Sequence, residues 1–233
     1  MARAAVERGV AAVTVPPAGG PTGIDGTAPS RPDTGLAGVV LAGGRSTRFT
    51  GADKAVATLA GKPVVRYVVE NLRPVVDSVV VNCRREQQEP IAEALDGLSV
   101  GFAEDPITDR GPVAGLRTGL RGVDARYAVV CACDTPFLPP ALLSVLASRA
   151  RTHTGAVAEL DGSPLPLPAA VHVRAAVSTC TDVIHSGGNS LREFVHALDP
   201  LVLSETEVLA YADRDAFRNI NTVEDLRAAA ECL

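Results

Sequence analysis

From Leu36 onward the chain repeats one pattern: a short valine-rich apolar run, a break, then an amphipathic stretch of helix length. "LAGVVLAGG", "DSVVVNC", "LSVGFAED" and "YAVVCACD" are the apolar runs, each of strand length. Between them lies "KPVVRYVVENLRP", which opens on Pro63 and spaces Val64, Tyr67, Val68, Asn71 and Leu72 at helical intervals. "REQQEPIAEALDG", "GPVAGLRTGLRGV" and "LPPALLSVLASRARTH" read as further helices. Then come "GAVAEL", a proline-rich approach to "PAAVHV", helices near 173–184 and 189–198, and a last helix, "TVEDLRAAAECL", capped by Thr222. Continuous apolar strands need cover on both faces. The alternation therefore predicts an α/β domain of β-α-β units: three layers, α/β/α, around a mostly parallel sheet. In such a domain crossovers are right-handed, and ligands bind beyond the carboxyl ends of the strands.

The domain is expected to span residues 36–233. Residues 16–35 hold five prolines and five glycines, so residues 1–35 are expected to form a disordered extension. "MARAAVERGVAAVTV" makes a poor signal peptide, because Glu7 and Arg8 interrupt it and "VAAVTV" is short. No run approaches the ~20 apolar residues of a membrane span. A net charge of −5 disfavours nucleic-acid backbones, and 3% aromatic content without tryptophan disfavours stacking on bases. Five cysteines, odd in number and with no C-x-x-C pair, suit a cytoplasmic protein. Cys131 and Cys133 would share one strand face as small buried hydrophobes rather than as a metal pair. His153, His172, His185 and His196 show no metal spacing and no nucleophile motif, so they read as structural or surface groups.

The stretch "LAGGRSTRFTGADK" concentrates the candidate chemistry. It fits neither G-x-x-x-x-G-K-[ST] nor G-x-G-x-x-G. Even so, a strand running into Gly43–Gly44 exposes amide N–H groups that a phosphate can approach, and Arg45, Arg48 and Lys54 add positive charge. A strand-to-helix turn with solvated charges remains the ordinary alternative. Only two lysines, Lys54 and Lys62, stand among 22 basic residues, and both fall in this region. Asp134 in "CACDTP" directly follows the most apolar strand, where a carboxylate suits Mg²⁺; Asp before Thr-Pro is also a common helix start. Asp105 lies in a loop after another strand, where carboxylates are ordinarily solvated, so alone it is a weak signal. In "FRNINTVEDL", Asn219 and Asn221 would face one side of an extended segment, just before the Thr222 capping box.

Taken in order, "LAGGRSTRF" with Lys54 following, "VVVNCR", "GPVAGL", "CDTPFLPP" and "FRNINTVEDL" resemble the molybdenum cofactor guanylyltransferases. These are nucleotidyltransferases of the Rossmann-like, glycosyltransferase-A-like fold. The resemblance runs from about Leu36 to the C-terminus. It implies transfer of GMP from GTP to the phosphate of molybdopterin, with pyrophosphate leaving and Mg²⁺ as cofactor. On the matching positions, Leu41, Ala42, Gly43 and Gly44 would bind GTP, with Lys54 on its phosphates. Asn82 and Asp105 would contact the nucleotide, Asp134 would bind both GTP and Mg²⁺, and Asn219 and Asn221 would lie on the molybdopterin side. Arg48 and Lys54 would balance the departing pyrophosphate, with Asp134 completing the catalytic set. The nucleophile is an ionised phosphate, so no general base is expected. The resemblance also implies transient contact with molybdenum-insertion proteins or apo-molybdoenzymes. The chain departs from the usual pattern at Thr50–Gly51 and across "GSPLPLPAAVHV".

Other readings of the same motifs stay open here. Cytidylyl transfer to molybdopterin would go with Leu-Ala-Ala-Gly and Gly-Asp in place of "LAGG" and Cys-Asp. Guanylyl transfer to cobinamide phosphate or phospholactate shares the glycine-rich start but fits "FRNINT" less well. A sugar-phosphate nucleotidyltransferase would more usually start Gly-x-Gly-Thr-Arg. From a different class, a non-catalytic nucleotide- or cofactor-binding protein could keep the glycine turn, although retention of both Lys54 and Asp134 favours catalysis.

Overall fold

The computed structural model describes residues 35–44, 49, 53–105 and 111–231. The expected extension before residue 35, together with Arg45, Arg48, Thr50, Gly51 and Cys232, lies outside the described residues. β1 (Leu36–Leu41) is followed by a ribbon of β2 (Thr58–Leu59) and β3 (Lys62–Pro63). Next come α1 (Val64–Leu72), β4 (Ser78–Cys83), α2 (Arg85–Ala94), β5 (Gly101–Glu104), α3 (Pro112–Arg121), β6 (Tyr127–Ala132) and α4 (Pro140–Ala150). The chain continues through β7 (Gly155–Leu160), β8 (Ser163–His172), α5 (Val173–His185), α6 (Leu191–Leu198) and β9 (Leu201–Leu203). It ends with α7 (Glu205–Leu209), a 3-10 turn (Arg214–Phe217) and α8 (Val223–Ala230).

Seven strands form one sheet in the order β5-β4-β1-β6-β8-β7-β9. β5, β4, β1 and β6 run parallel, β9 runs parallel to β7, and β8 is antiparallel to both of its neighbours. Alternate residues of each central strand bury on opposite faces. Val40, Val129 and Cys131 pack into one layer with Val65, Val68 and Leu72 of α1 and Leu142, Leu143 and Leu146 of α4. Val39, Ala128 and Val130 pack into the other with Leu116 and Leu120 of α3, Ala176 of α5 and Phe194 of α6. This is the expected three-layer, mostly parallel α/β architecture. Cys131 and Cys133 share the first layer, and Cys83, Cys131, Cys133 and Cys180 are all buried free thiols. His172 caps α5, accepting from the Ala175 N–H at 3.4 Å, with its ring edge-on to Tyr127. Among the described residues, no helix is long and apolar enough to cross a membrane.

Two local expectations differ. Lys62–Pro63 belong to the ribbon rather than to the start of the helix. Ala60 and Gly61 both take positive φ, 46° and 83°, and so make the two-residue turn that reverses the chain. Lys62 pairs with Glu70 at 2.6 Å and lies 4.5 Å over the Tyr67 ring, which makes it a structural lysine. The proline-rich segment 163–168 is no mere approach but the first part of β8. β6 pairs with β8 only from Ala169 onward, so Pro164, Pro166 and Pro168 interrupt no ladder on that side. The short β9 and α7 carry too few apolar positions to declare a period in the sequence.

A third cluster joins Phe49, Leu59 and Val64 to Ile220 and Ala229, seating α8 on the ribbon. On the other side of the sheet α3 lies close to β1. A Cβ on Gly119 would come 2.7 Å from Cγ1 of Val39, a stiff β-branched side chain with no exposed surface. Gly119→Ala gains about 1 kcal/mol of helix propensity but loses about 1–3 kcal/mol to overpacking, so a lower urea midpoint is expected. The thiols offer a second check. Burial pushes Cys83, Cys131, Cys133 and Cys180 up to about 12. In an Ellman titration at pH 8 these four thiols stay silent in the native protein and react once it is unfolded.

Candidate active site at the carboxyl ends of the strands

Leu41 is level with Asn82 of β4 and with Ala132 of β6, and Asn82 is level with Ala103 of β5. The residues just past these ends therefore converge. A cavity of about 320 Å³ opens there, of a size suited to a small ligand. Leu41, Gly43, Gly44, Lys54, Asn82, Asp105 and Asp134 line it, as do Arg84, Gly115 and Leu167. A Cβ on Gly43 would sit 3.0 Å from Asp105 Oδ2, so glycine is what keeps this corner open.

Asn82 is buried. Its Nδ2 donates to the Ala103 carbonyl at 3.1 Å and to Asp105 Oδ1 at 2.8 Å, while its Oδ1 faces the glycines at 43 and 115. Burial pushes the Asp105 carboxyl above its ordinary value, against hydrogen bonds from Asn82 and Thr118 and the charge of Arg84. On the opposite wall Lys54 Nζ meets Asp134 Oδ2 at 2.6 Å. Burial disfavours the Lys54 ammonium, but its ionisable neighbours Cys133, Asp134 and Asp53 outweigh that and hold its pKa above the usual lysine value. The turn carrying Asp134 is pinned from three sides. The Cys133 N–H donates to the Leu41 carbonyl at 3.0 Å, Thr135 Oγ1 to Ala132 O at 3.1 Å, and Asn71 Nδ2 to Pro136 O at 3.0 Å.

Ala42 is placed differently from its glycine neighbours. It is buried, its N–H donates to the Asn82 carbonyl at 2.8 Å, and its own carbonyl accepts from Gln87 Nε2 at 2.9 Å. Asn219 is exposed and Asn221 half-buried, and neither lines the cavity. Ile220 between them donates its N–H to the Asp134 carbonyl at 2.8 Å, which sets both asparagines beside the Asp134 end. Arg48 lies outside the described residues. Sequence reasoning passed over Arg84, whose Nη1 donates to the Gly43 carbonyl at 2.8 Å, and Gln87 and Asp53 behind it. Arg84 was findable, since it directly follows the carboxyl end of a strand. Gln87 gives no such signal.

Asp134 contributes one carboxylate, and no group of three or more His, Cys, Asp or Glu suited to a metal occurs among the described residues. That donor set fits Mg²⁺, which takes one or two protein carboxylates and completes its shell with water and phosphate oxygens.

Residues 38–201 match the family model described as the MobA-like NTP transferase domain. A protein of Haloferax mediterranei named "Probable molybdenum cofactor guanylyltransferase" is 45% identical over 196 residues, covering 84% of this chain and 93% of that protein. One of the same name from Natronomonas pharaonis is 41% identical over 196 residues, covering 84% and 97%. Among solved structures, the molybdopterin-guanine dinucleotide biosynthesis protein A of Archaeoglobus fulgidus has a TM-score of 0.70 and 26% identity, covering 84% of this chain and 97% of that one. With a mostly parallel sheet, a glycine pair past its first strand, and a lysine and aspartate bonded on one wall of the cavity, the chain belongs to the MobA-like NTP transferase family.

Proposed function

We propose that the chain is a guanylyltransferase that transfers GMP from GTP to the phosphate of molybdopterin and releases pyrophosphate. The observation that carries this reading is the convergence of Gly43–Gly44, Lys54, Asn82, Asp105 and Asp134 on one cavity, in a chain 45% identical to a relative of that name. Fold likeness alone would not carry it, because one fold serves many reactions.

The residues divide the work by chemistry. Gly43 and Gly44 offer backbone N–H groups, and Lys54 a compact ammonium, to the phosphates. Asn82 Oδ1 and the Asp105 carboxylate are acceptors, which suits the guanine edge with its ring N–H and adjacent amino group. Cytosine and adenine each present a single donor group on that edge. Asp134 would hold Mg²⁺, which when bound neutralises charge on the triphosphate. Lys54 would give up its bond to Asp134 and, with Arg48, balance charge on the leaving pyrophosphate. Asn219 and Asn221 would orient molybdopterin beside Asp134. Its phosphate is already ionised, so in-line attack on the α-phosphorus needs positioning more than proton removal.

Incubation with Mg²⁺, molybdopterin and GTP, CTP or ATP is expected to release pyrophosphate with GTP alone. Faster release with CTP, or none with GTP, sinks the reading. Asp134→Asn is expected to lower turnover by about 100-fold or more while thermal unfolding stays cooperative. Near-normal turnover in that variant removes Asp134 from the site.

A further inference from the structure

Ala42 just past β1 and Asp53 flank the glycine-rich stretch of the sequence, and one side chain touches both residues. Gln87, in the first turn of α2, is 3% exposed. Its Nε2 donates to the Ala42 carbonyl at 2.9 Å and to Asp53 Oδ2, and its Oε1 accepts the Arg84 N–H at 3.0 Å. The orientation of this amide is forced. Turned over, its oxygen would face a carbonyl and a carboxylate, and neither donates. Helix capping accounts for the Oε1 bond only. The two N–H bonds reach back 45 and 34 residues and need another explanation.

Each of them acts on a part of the cradle. In a trans peptide the C=O and the next N–H point opposite ways. Holding the Ala42 carbonyl toward α2 therefore turns the Gly43 N–H away from α2. Arg84 Nη1, at 2.8 Å from the Gly43 carbonyl, fixes the Gly44 N–H in the same manner. Asp53 Oδ1 accepts the Ala55 N–H at 3.0 Å, which sets the turn whose middle residue is Lys54. One amide thus couples the direction of the glycine N–H groups to the position of the lysine.

We infer that Gln87 is a positioning residue for nucleotide binding: through Ala42 and Asp53 it holds the glycine turn and Lys54 at one separation, so that both reach the same phosphate chain. This rests on the nucleotidyl-transfer reading above. Glutamate cannot replace it, because a carboxylate at this place opposes Asp53 and the Ala42 carbonyl while still accepting the Arg84 N–H.

The test compares wild type with Gln87→Glu, Gln87→Met and the double variant Gln87→Glu/Asp53→Asn. The readouts are the Kd for Mg·GTP by calorimetry, KM and kcat for pyrophosphate release, and thermal unfolding. Both single variants are expected to bind GTP about 10- to 100-fold more weakly, as is usual when the support of a binding group is lost. In the double variant Asn at position 53 can donate to Glu at 87, so part of the lost affinity returns. Gln87→Met carries the comparison if Gln87→Glu does not fold. A folded Gln87→Met or Gln87→Glu protein with wild-type Kd and KM overturns the inference, whatever its melting temperature. Weaker binding in both single variants with no recovery in the double variant overturns the coupling through Asp53. Absence of GTP binding by wild type overturns this inference and the transfer reading together. Wild-type binding without pyrophosphate release, with affinity lost in the variants, overturns the transfer reading alone.

Discussion

The parallel pairing of β1 with β4 on one side and β6 on the other sets Leu41 level with Asn82 and Ala132. Because the three strands end within one residue of that level, Gly43–Gly44, Arg84 and Asp134 leave the sheet at nearly the same height, beside Asn82. A slip of one residue would also exchange Val39 and Val40 between the two core layers. The register that fills both cores is thus the register that assembles the cavity. Packing and function are secured by the same alternation, and neither can shift without the other.

Charge at the mouth is balanced before any ligand arrives. Lys54 and Asp134 bond directly on one wall, with 18% and 15% of their side chains exposed, while Asn82 and Arg84 moderate Asp105 on the facing wall. A partly buried carboxylate or ammonium without such a partner would be costly. In the proposed reaction a polyanion with a divalent cation would satisfy the same groups in exchange.

The remainder of the molecule supports these few groups from outside the sheet. The ribbon and α8 pack through Phe49, Leu59 and Ile220 and bring the Asn219–Asn221 segment against Asp134. α2 does the equivalent for the glycine turn through Arg84 and Gln87. Lys62, the second rare lysine, stiffens the ribbon through Glu70 and Tyr67 and takes no place at the cavity.

The valine-rich runs and helical spacing made the layered α/β architecture legible in the sequence, because a buried strand and an amphipathic helix are local patterns. Gly43, Gly44 and Asp134 were legible for a related reason: each lies just past a strand end, where β-α-β geometry puts ligands, whereas Asn82 was marked by the family resemblance alone and Asp105 chiefly by it. The 163–168 strand and the Lys62–Pro63 ribbon were not, since whether a proline interrupts a ladder depends on which neighbour reaches it. Nor was the role of Gln87, a polar residue in an ordinary first helical turn, whose amide bonds close over 45 and 34 residues. The sequence by itself determined the alternating central strands and helices, their faces and the candidate chemistry. Only the tertiary structure decided that the Ala42 peptide groups bond Asn82 and Gln87, that Lys54 bonds Asp134, and that one buried amide joins Ala42 to Asp53. Hydrogen bonds between distant segments obey the packing of the whole chain and leave no periodic trace in the residues that make them.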